Sequence, residues 1–190
     1  MRNEVSYYTE IQKFIEAQLK SNFLASNHRE LYVYWGIGEL KKNLHRIIQE
    51  HPLECSCVLS FAENVPPLSL DIFALITDGS KFEFLILEIK LVKSVGLKEW
   101  SQLIGYCLVS GAKFGLLVNI DNNCSPRLIH TLYSEPHMSY IQTTVNNQQQ
   151  LHLLGFMQWN SLTRNFEYSS FGSIKSLSDL SNRLIAEFSD

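Results

Sequence analysis

The chain opens with a regular stripe of apolar residues. Between residues 3 and 20, apolar side chains recur at steps of three and four, with polar residues between them. Such steps place side chains on one face of an α-helix. The stripe consists of Val5, Tyr8, Ile11, Phe14, Ile15 and Leu19. The pattern therefore predicts one long amphipathic opening helix.

Residues 28–61 are less periodic. The stretch ELYVYWGIG predicts a strand, ELKKNLHRIIQ is typical of a helix, and CSCVLSF predicts a short strand. Short apolar runs occur in buried helices and in buried strands alike, so periodicity alone separates the two poorly here.

The clearest pattern follows Pro66-Pro67. The runs LSLDIFALIT and KFEFLILEIK are joined by the turn sequence DGS, which predicts a β-hairpin. The second run is apolar at almost every position, as in a strand buried on both faces. An amphipathic helix over residues 97–110, ended by Gly111, and a strand over Phe114 to Ile120 follow.

The order of these elements predicts the fold class. Helix, strand, hairpin, helix and strand give an α/β core with a mixed sheet flanked by helices, over residues 1–125. Residues 126–190 differ, since YIQTTV, LHLLGFMQW and FEYSSF alternate with polar loops. They predict a small antiparallel β-rich extension on the same domain, with a closing helix capped by Ser176 or Ser178.

Composition narrows the class of protein. The chain is 45% apolar and 18% charged, as in soluble globular proteins, and no apolar run approaches the ~20 residues of a membrane span. The N-terminus lacks the apolar block of a secretory signal, which predicts a cytoplasmic protein without a membrane partner. The four cysteines lack metal-site spacing, so we expect buried, reduced thiols.

The net charge limits how the chain could bind nucleic acid. Its formal value is −3. A nucleic-acid partner would therefore need a local basic surface, a metal ion or a second subunit.

The hairpin places charged residues on one face. Strand alternation puts Glu88 and Lys90 on the same side. With Gly79-Ser80 as the loop, Asp71 lies opposite Glu88, and with Asp78-Gly79 it lies opposite Ile86. In both registers Asp71 shares the face of Glu88 and Lys90. A three-residue loop without a bulge would move Asp71 to the other face.

Two carboxylates on one buried face need a neutralising partner. A hard divalent cation, Mg²⁺ or Mn²⁺, binds oxygen ligands and suits such a pair. Lys90 would then lie where it can orient or deprotonate an attacking water, or stabilise charge on a phosphate oxygen.

The segments PLSLD (Pro67 to Asp71), EIK (Glu88 to Lys90) and SQLIGY (Ser101 to Tyr106) follow one another in an α-β-β-β-α-β order over roughly residues 3 to 120. This arrangement resembles the PD-(D/E)XK, or restriction-endonuclease-like, nucleases. The resemblance implies that Asp71 and Glu88 hold Mg²⁺ and that Lys90 serves the attacking water. The proline that often directly precedes the first acid lies four residues before it here.

The resemblance also implies two supporting groups. A glutamate of the opening helix often completes the metal shell, and Glu10 is the first candidate, with Glu16 as the alternative. These two lie about 240° apart around a helix and cannot serve one site equally. Gln102 and Tyr106 match a glutamine–tyrosine pair one turn apart and would border the site.

The function implied by the resemblance is metal-dependent hydrolysis of DNA phosphodiester bonds. Defence, restriction or DNA processing in a prokaryote or phage fits such a nuclease, and cutting both strands would need a homodimer. The alternatives are an RNA nuclease, or a catalytically silent module of the same fold that binds nucleic acid or a protein.

Overall fold

A computed structural model describes residues 3–27, 30–145, 147–167, 169 and 171–189 of the chain. The helices are α1 (Tyr8–Asn27), α2 (Leu40–Glu50), α3 (Leu59–Asn64), α4 (Leu97–Ser110), α5 (Pro126–Ser134) and α6 (Leu177–Ser189). The strands are β1 (Tyr32–Glu39), β2 (Ser69–Thr77), β3 (Phe82–Lys90), β4 (Phe114–Ile120), β5 (Tyr140–Val145), β6 (Gln148–Asn160) and β7 (Asn165–Glu167). Short 3-10 helices cover Glu4–Tyr7, Ser56–Val58 and Pro136–Met138.

The strands form one mixed sheet in the order β1-β2-β3-β4-β6-β5, with β7 paired to β6. The pairs β1–β2 and β2–β3 are antiparallel, whereas β3–β4 and β4–β6 are parallel. Helices pack on both faces of the sheet. The predicted α/β class with a mixed, helix-flanked sheet is confirmed.

Strand β3 is central and buried on both faces, as predicted. Leu85, Leu87 and Ile89 belong to the core that also contains apolar residues of α1 and α6. Phe84 and Ile86 point to the other core, which α2, α4 and α5 complete. This burial explains why the strand sequence is apolar at almost every position.

The C-terminal strands extend the central sheet. Strand β6 runs parallel to β4 from the Phe114–Leu153 pair to the Ile120–Trp159 pair. Only β5 and β7 are antiparallel to β6, so the prediction of a purely antiparallel addition was wrong. Parallel neighbours need a crossover connection. The crossover contains α5, a helix that the sequence pattern did not predict.

The segment Cys55 to Phe61 is helical, and the predicted short strand was wrong. Cys55, Val58 and Ala62 are buried, at helical steps of three and four. The cysteines are free, and Cys57 is half-buried beside the fully buried Cys55.

Helix ends follow the predicted capping chemistry. Ser176 Oγ accepts the N–H of Asp179 at 3.0 Å in the first turn of α6. Gly111 ends α4 with a φ of +72°, a left-handed conformation that favours glycine. The opening helix is longer than predicted, since α1 continues to Asn27 after the 3-10 turn that precedes it.

Among the helices of the described residues, none combines the length and apolar character needed to span a membrane.

The closing helix is tied to the sheet by charged groups. Glu187 of α6 forms an ion pair with Lys113, next to β4, and its carbonyl accepts from Lys81 Nζ at 3.3 Å. Glu83 of β3 lies within this group. Burial raises the pKa of Glu83 to about 7, with Lys113 opposing the shift and Glu187 adding to it.

This shift predicts how stability depends on pH. Between the ordinary pKa of 4.5 and the folded value near 7, the folded state keeps a proton that the unfolded state loses, so stability falls as pH rises. Glu83→Gln removes this loss. We expect it to stabilise the protein by about 1–2 kcal/mol at pH 8, less than the whole shift implies because Glu83 is partly exposed.

Urea denaturation of both proteins at pH 4.5 and pH 8 measures the effect. At pH 4.5 the two proteins should have nearly equal free energies of unfolding. An equal difference at both pH values would contradict the assignment.

Candidate active site

The charged face forms where the β2–β3 hairpin opens. The ladder runs from Thr77–Phe82 to Ile72–Leu87, which is the register predicted for the Gly79-Ser80 loop. Asp78 Oδ1 fixes the turn by accepting the N–H groups of Ser80 and Lys81. The next pair in this register is Asp71 with Glu88.

The Asp71 side chain forms a hydrogen bond to β3 directly after the last backbone pair of the β2–β3 ladder. Its Oδ2 accepts the N–H of Ile89 at 3.2 Å, so a carboxylate replaces a backbone carbonyl as the acceptor. This bond holds Asp71 against the end of β3. The Asp71 side chain remains 25% exposed.

One ammonium contacts both carboxylates. Lys90 Nζ lies 3.1 Å from Asp71 Oδ2 and 2.5 Å from Glu88 Oε1. The structure thus brings Asp71, Glu88 and Lys90 together on one face, as the alternation pattern predicts.

The surroundings of Glu88 disfavour its charged form. Its side chain has no exposed surface, and neither oxygen has a hydrogen-bond partner among the described residues. The close contact with Lys90 is an ion pair. Burial raises the pKa of Glu88 to about 7, with Lys90 opposing the shift and Asp71 adding to it. The charged form of Glu88 therefore depends on a nearby cation.

Lys90 is held in its charged form. Burial alone would lower its pKa, but the contacts with Glu88 and then Asp71 outweigh burial and raise the pKa above its ordinary value. Lys90 is therefore an ammonium at neutral pH. An ammonium donates hydrogen bonds and cannot accept a proton from water.

The start of the chain contributes two groups that sequence reasoning missed. Tyr8 is buried, and its pKa is raised by burial, then by the charges of Asp71 and Glu4. Glu4 also acts on Glu88, where its charge raises the pKa. The signal in the sequence was the spacing of four between Glu4 and Tyr8, at the beginning of the apolar stripe.

The predicted helix glutamates have partners outside the Asp71, Glu88 and Lys90 group. Glu10 Oε1 pairs with Arg164 Nε at 2.9 Å, and Glu10 lies about 200° around α1 from Tyr8. Glu16 pairs with Lys20 at 2.7 Å and accepts from Trp35 Nε1 at 3.0 Å. A role for Glu10 in the site remains a prediction.

Gln102 and Tyr106 meet on α4 as their spacing predicts. Gln102 Nε2 donates to Tyr106 Oη at 2.7 Å. Within the described part of the chain, neither side chain of this pair has a hydrogen bond to Lys90 or to the two carboxylates. Both side chains are half-buried and lie on the helix that follows the site.

Asn119 is a further residue that sequence reasoning missed. It lies beside Lys90 in the β3–β4 ladder and is fully buried. Its amide donates to Val92 O at 3.0 Å and its Oδ1 accepts Val92 N–H at 3.3 Å. These two bonds fix the loop directly after Lys90. The signal was a polar residue inside the apolar run FGLLVNI.

The donor set fits a divalent cation. Asp71 and Glu88 present oxygens to one shared position, and both Glu88 oxygens are buried without hydrogen bonds. Carboxylate oxygens are the ligands that Mg²⁺ and Mn²⁺ prefer. A cation bound there would compete with Lys90 for the same oxygens.

Comparisons of the chain with protein-family models, with curated proteins and with solved structures gave no match.

The shared ammonium predicts strong coupling between Lys90 and Glu88. Lys90→Met leaves a buried carboxylate without its cation, which should cost about 3 kcal/mol of folding free energy. In a Glu88→Gln background the same change should cost about 1 kcal/mol, because only the partly exposed Asp71 carboxylate then loses its cation. Urea denaturation in EDTA of the four proteins of this cycle measures the coupling. Additive effects of the two substitutions would contradict the ion pair.

Proposed function

We propose that the protein is a metal-dependent endonuclease that hydrolyses DNA phosphodiester bonds. The observation that carries the proposal is the meeting of Asp71 and Glu88 at one ammonium, Lys90, on the face of a buried hairpin. The predicted PD-(D/E)XK resemblance assigns these same three residues to the active site. The mixed α/β sheet is compatible with that fold.

The proposed chemistry divides between the cation and the chain. A Mg²⁺ or Mn²⁺ ion held by Asp71 and Glu88 would act as a Lewis acid on the phosphate. The Ile89 N–H keeps the Asp71 carboxylate in place. Burial keeps solvent from Glu88, and a cation would have to displace Lys90 from Glu88 Oε1 to bind there.

Lys90 acts as a donor in this proposal. As an ammonium it orients the attacking water or stabilises negative charge on a phosphate oxygen. The bond from the water oxygen to phosphorus forms in line as the bond to the leaving sugar oxygen breaks, while the water loses a proton to solvent and the leaving oxygen takes one up from solvent. Deprotonation of the attacking water was also predicted for Lys90. This role suits Lys90 least, because its ammonium form cannot accept a proton.

The opening segment offers two candidate carboxylates. Glu10 was predicted for this role and is paired with Arg164. Glu4 is a second candidate, since its charge contributes to the raised pKa values of Glu88 and Tyr8. Gln102, which donates to Tyr106, is proposed to border the site.

The biological setting proposed is defence, restriction or DNA processing in the cytoplasm of a prokaryote, or in a phage. One site cuts one strand, so cleavage of both strands is assigned to a homodimer. RNA is the alternative substrate of the same residues.

Incubation with supercoiled plasmid, with Mg²⁺ or with EDTA, tests the proposal. We expect Mg²⁺-dependent nicking or linearisation that falls at least ~100-fold in Asp71→Asn, Glu88→Gln and Lys90→Ala. Glu135→Gln, at an exposed carboxylate after α5, is the matched control and should cleave normally.

Unchanged cleavage in Lys90→Ala or Asp71→Asn would refute the mechanism. If the plasmid stays intact with every divalent ion tested but RNA is cleaved, the protein would be assigned as an RNA nuclease. Binding without cleavage of either would favour the silent module.

A further inference from the structure

Several segments converge at the end of the sheet that holds the candidate site. Strand β2 is antiparallel to both β1 and β3, so the end of β1, the start of β2 and the end of β3 lie together. Glu39, the last residue of β1, pairs with Ser69, two residues before Asp71. The first residue of α2, Leu40, donates its N–H to Leu68 O at 2.8 Å. Helix α2 therefore begins within about 10 Å of Asp71 along the sheet.

The outer face of α2 is basic. Its apolar residues point to the core, and its outward residues include three cations and one carboxylate, Glu50. The cations are Lys41, Lys42 and Arg46. Because the chain as a whole carries a net charge of −3, this helix face differs in sign from the average surface.

Two of the α2 cations already have partners. Lys41 Nζ donates to Glu63 O at 3.0 Å, and Arg46 pairs with Glu50 at 2.8 Å. The Lys42 ammonium has no partner within the described part of the chain. Lys42 and Arg46 line two neighbouring depressions, of about 640 and 370 Å³. An extended anionic ligand could lie along them.

A second group of cations lies on the loop that leaves the site. Lys93 follows Lys90 by three residues, and Lys98 lies in the first turn of α4. Both are exposed, and neither has an ion-pair partner among the residues that the structure describes. The bridge between Val95 and Cys124 holds this loop at the same end of the sheet.

The first turns of α2 and α4 carry both signs of charge. Glu39, which also lines both depressions, accepts the backbone N–H groups of Lys41 and Lys42. At the start of α4, Glu99 Oε2 accepts the Gly96 N–H. These carboxylates cap the helices, so the ammonium groups of Lys42 and Lys98, unpaired among the described residues, are the groups that an anion would contact.

We infer that Lys42, together with Lys93 and Lys98, forms a docking surface for the DNA backbone on both sides of the Asp71, Glu88 and Lys90 site. The inference rests on the proposed function, since it names the surface by which the substrate reaches that site. Phosphate contacts are the source of affinity that a chain of net negative charge must supply locally. They position a duplex without reading its sequence.

Binding of a 30-base-pair duplex in EDTA tests the surface without cleavage. Each lost phosphate contact lowers the slope of log affinity against log salt by about one. Lys42→Gln with Lys93→Gln should lower the slope by about two and weaken binding about tenfold at 100 mM salt. The matched control is Lys13→Gln with Lys175→Gln, two exposed lysines without ion-pair partners in the described chain, in the layer of α1 and α6. This control should bind like the unmodified protein.

The outcomes separate the surface from the catalytic proposal. Three results would overturn the docking surface. They are an unchanged salt slope in the Lys42 and Lys93 variant, an equal fall of the slope in the control variant, and no DNA binding by the unmodified protein. Tighter binding of RNA of equal length would overturn its assignment to DNA. If the unmodified protein cuts plasmid while the slope is unchanged, the nuclease proposal survives alone. If the slope falls as expected but no divalent ion supports cleavage, the surface survives alone.

Discussion

The candidate site depends on one contact, the ion pair between the fully buried Glu88 carboxylate and the Lys90 ammonium. The Glu88 oxygens have no hydrogen bonds among the described residues, so Lys90 provides the favourable interaction that opposes burial. Lys90 is in turn shared with Asp71. Replacing a buried ion pair by apolar residues of similar volume is often neutral or stabilising. Stability alone therefore does not explain the three charges, and the proposed role in cation binding does.

The hairpin gives this contact its geometry. The Asp78 turn sets the register, and the register places Asp71 opposite Glu88. Apolar packing on both faces of β3 then fixes the position of the strand. A shift of one residue in the β2–β3 register would move every β3 side chain to the opposite face of the sheet. Asn119 holds the loop that follows. Local turn chemistry and long-range packing thus determine the position of the same three side chains.

Much of this arrangement could be predicted from the sequence, because it depends on local rules. The alternation of β3 and the two-residue loop were sufficient to place Asp71, Glu88 and Lys90 on one face. The parallel pairing of β6 could not be predicted, since strand partners are chosen by long-range packing. The segment beginning at Cys55 was too short for its period to distinguish a helix from a strand. Glu10 was named through the resemblance, and its ion pair with Arg164 joins residues too far apart in sequence to be predicted from a local pattern.

We propose that Asp71 and Glu88 form a cation site, which Lys90 fills in the free protein. Titration of Mn²⁺, followed by the loss of its free-ion electron paramagnetic resonance signal, tests this site without any substrate. We expect binding to the unmodified protein, at least tenfold weaker binding in Asp71→Asn and Glu88→Gln, and unchanged binding in Glu135→Gln. Equal Mn²⁺ affinity in all four proteins, or no binding by any of them, would contradict it.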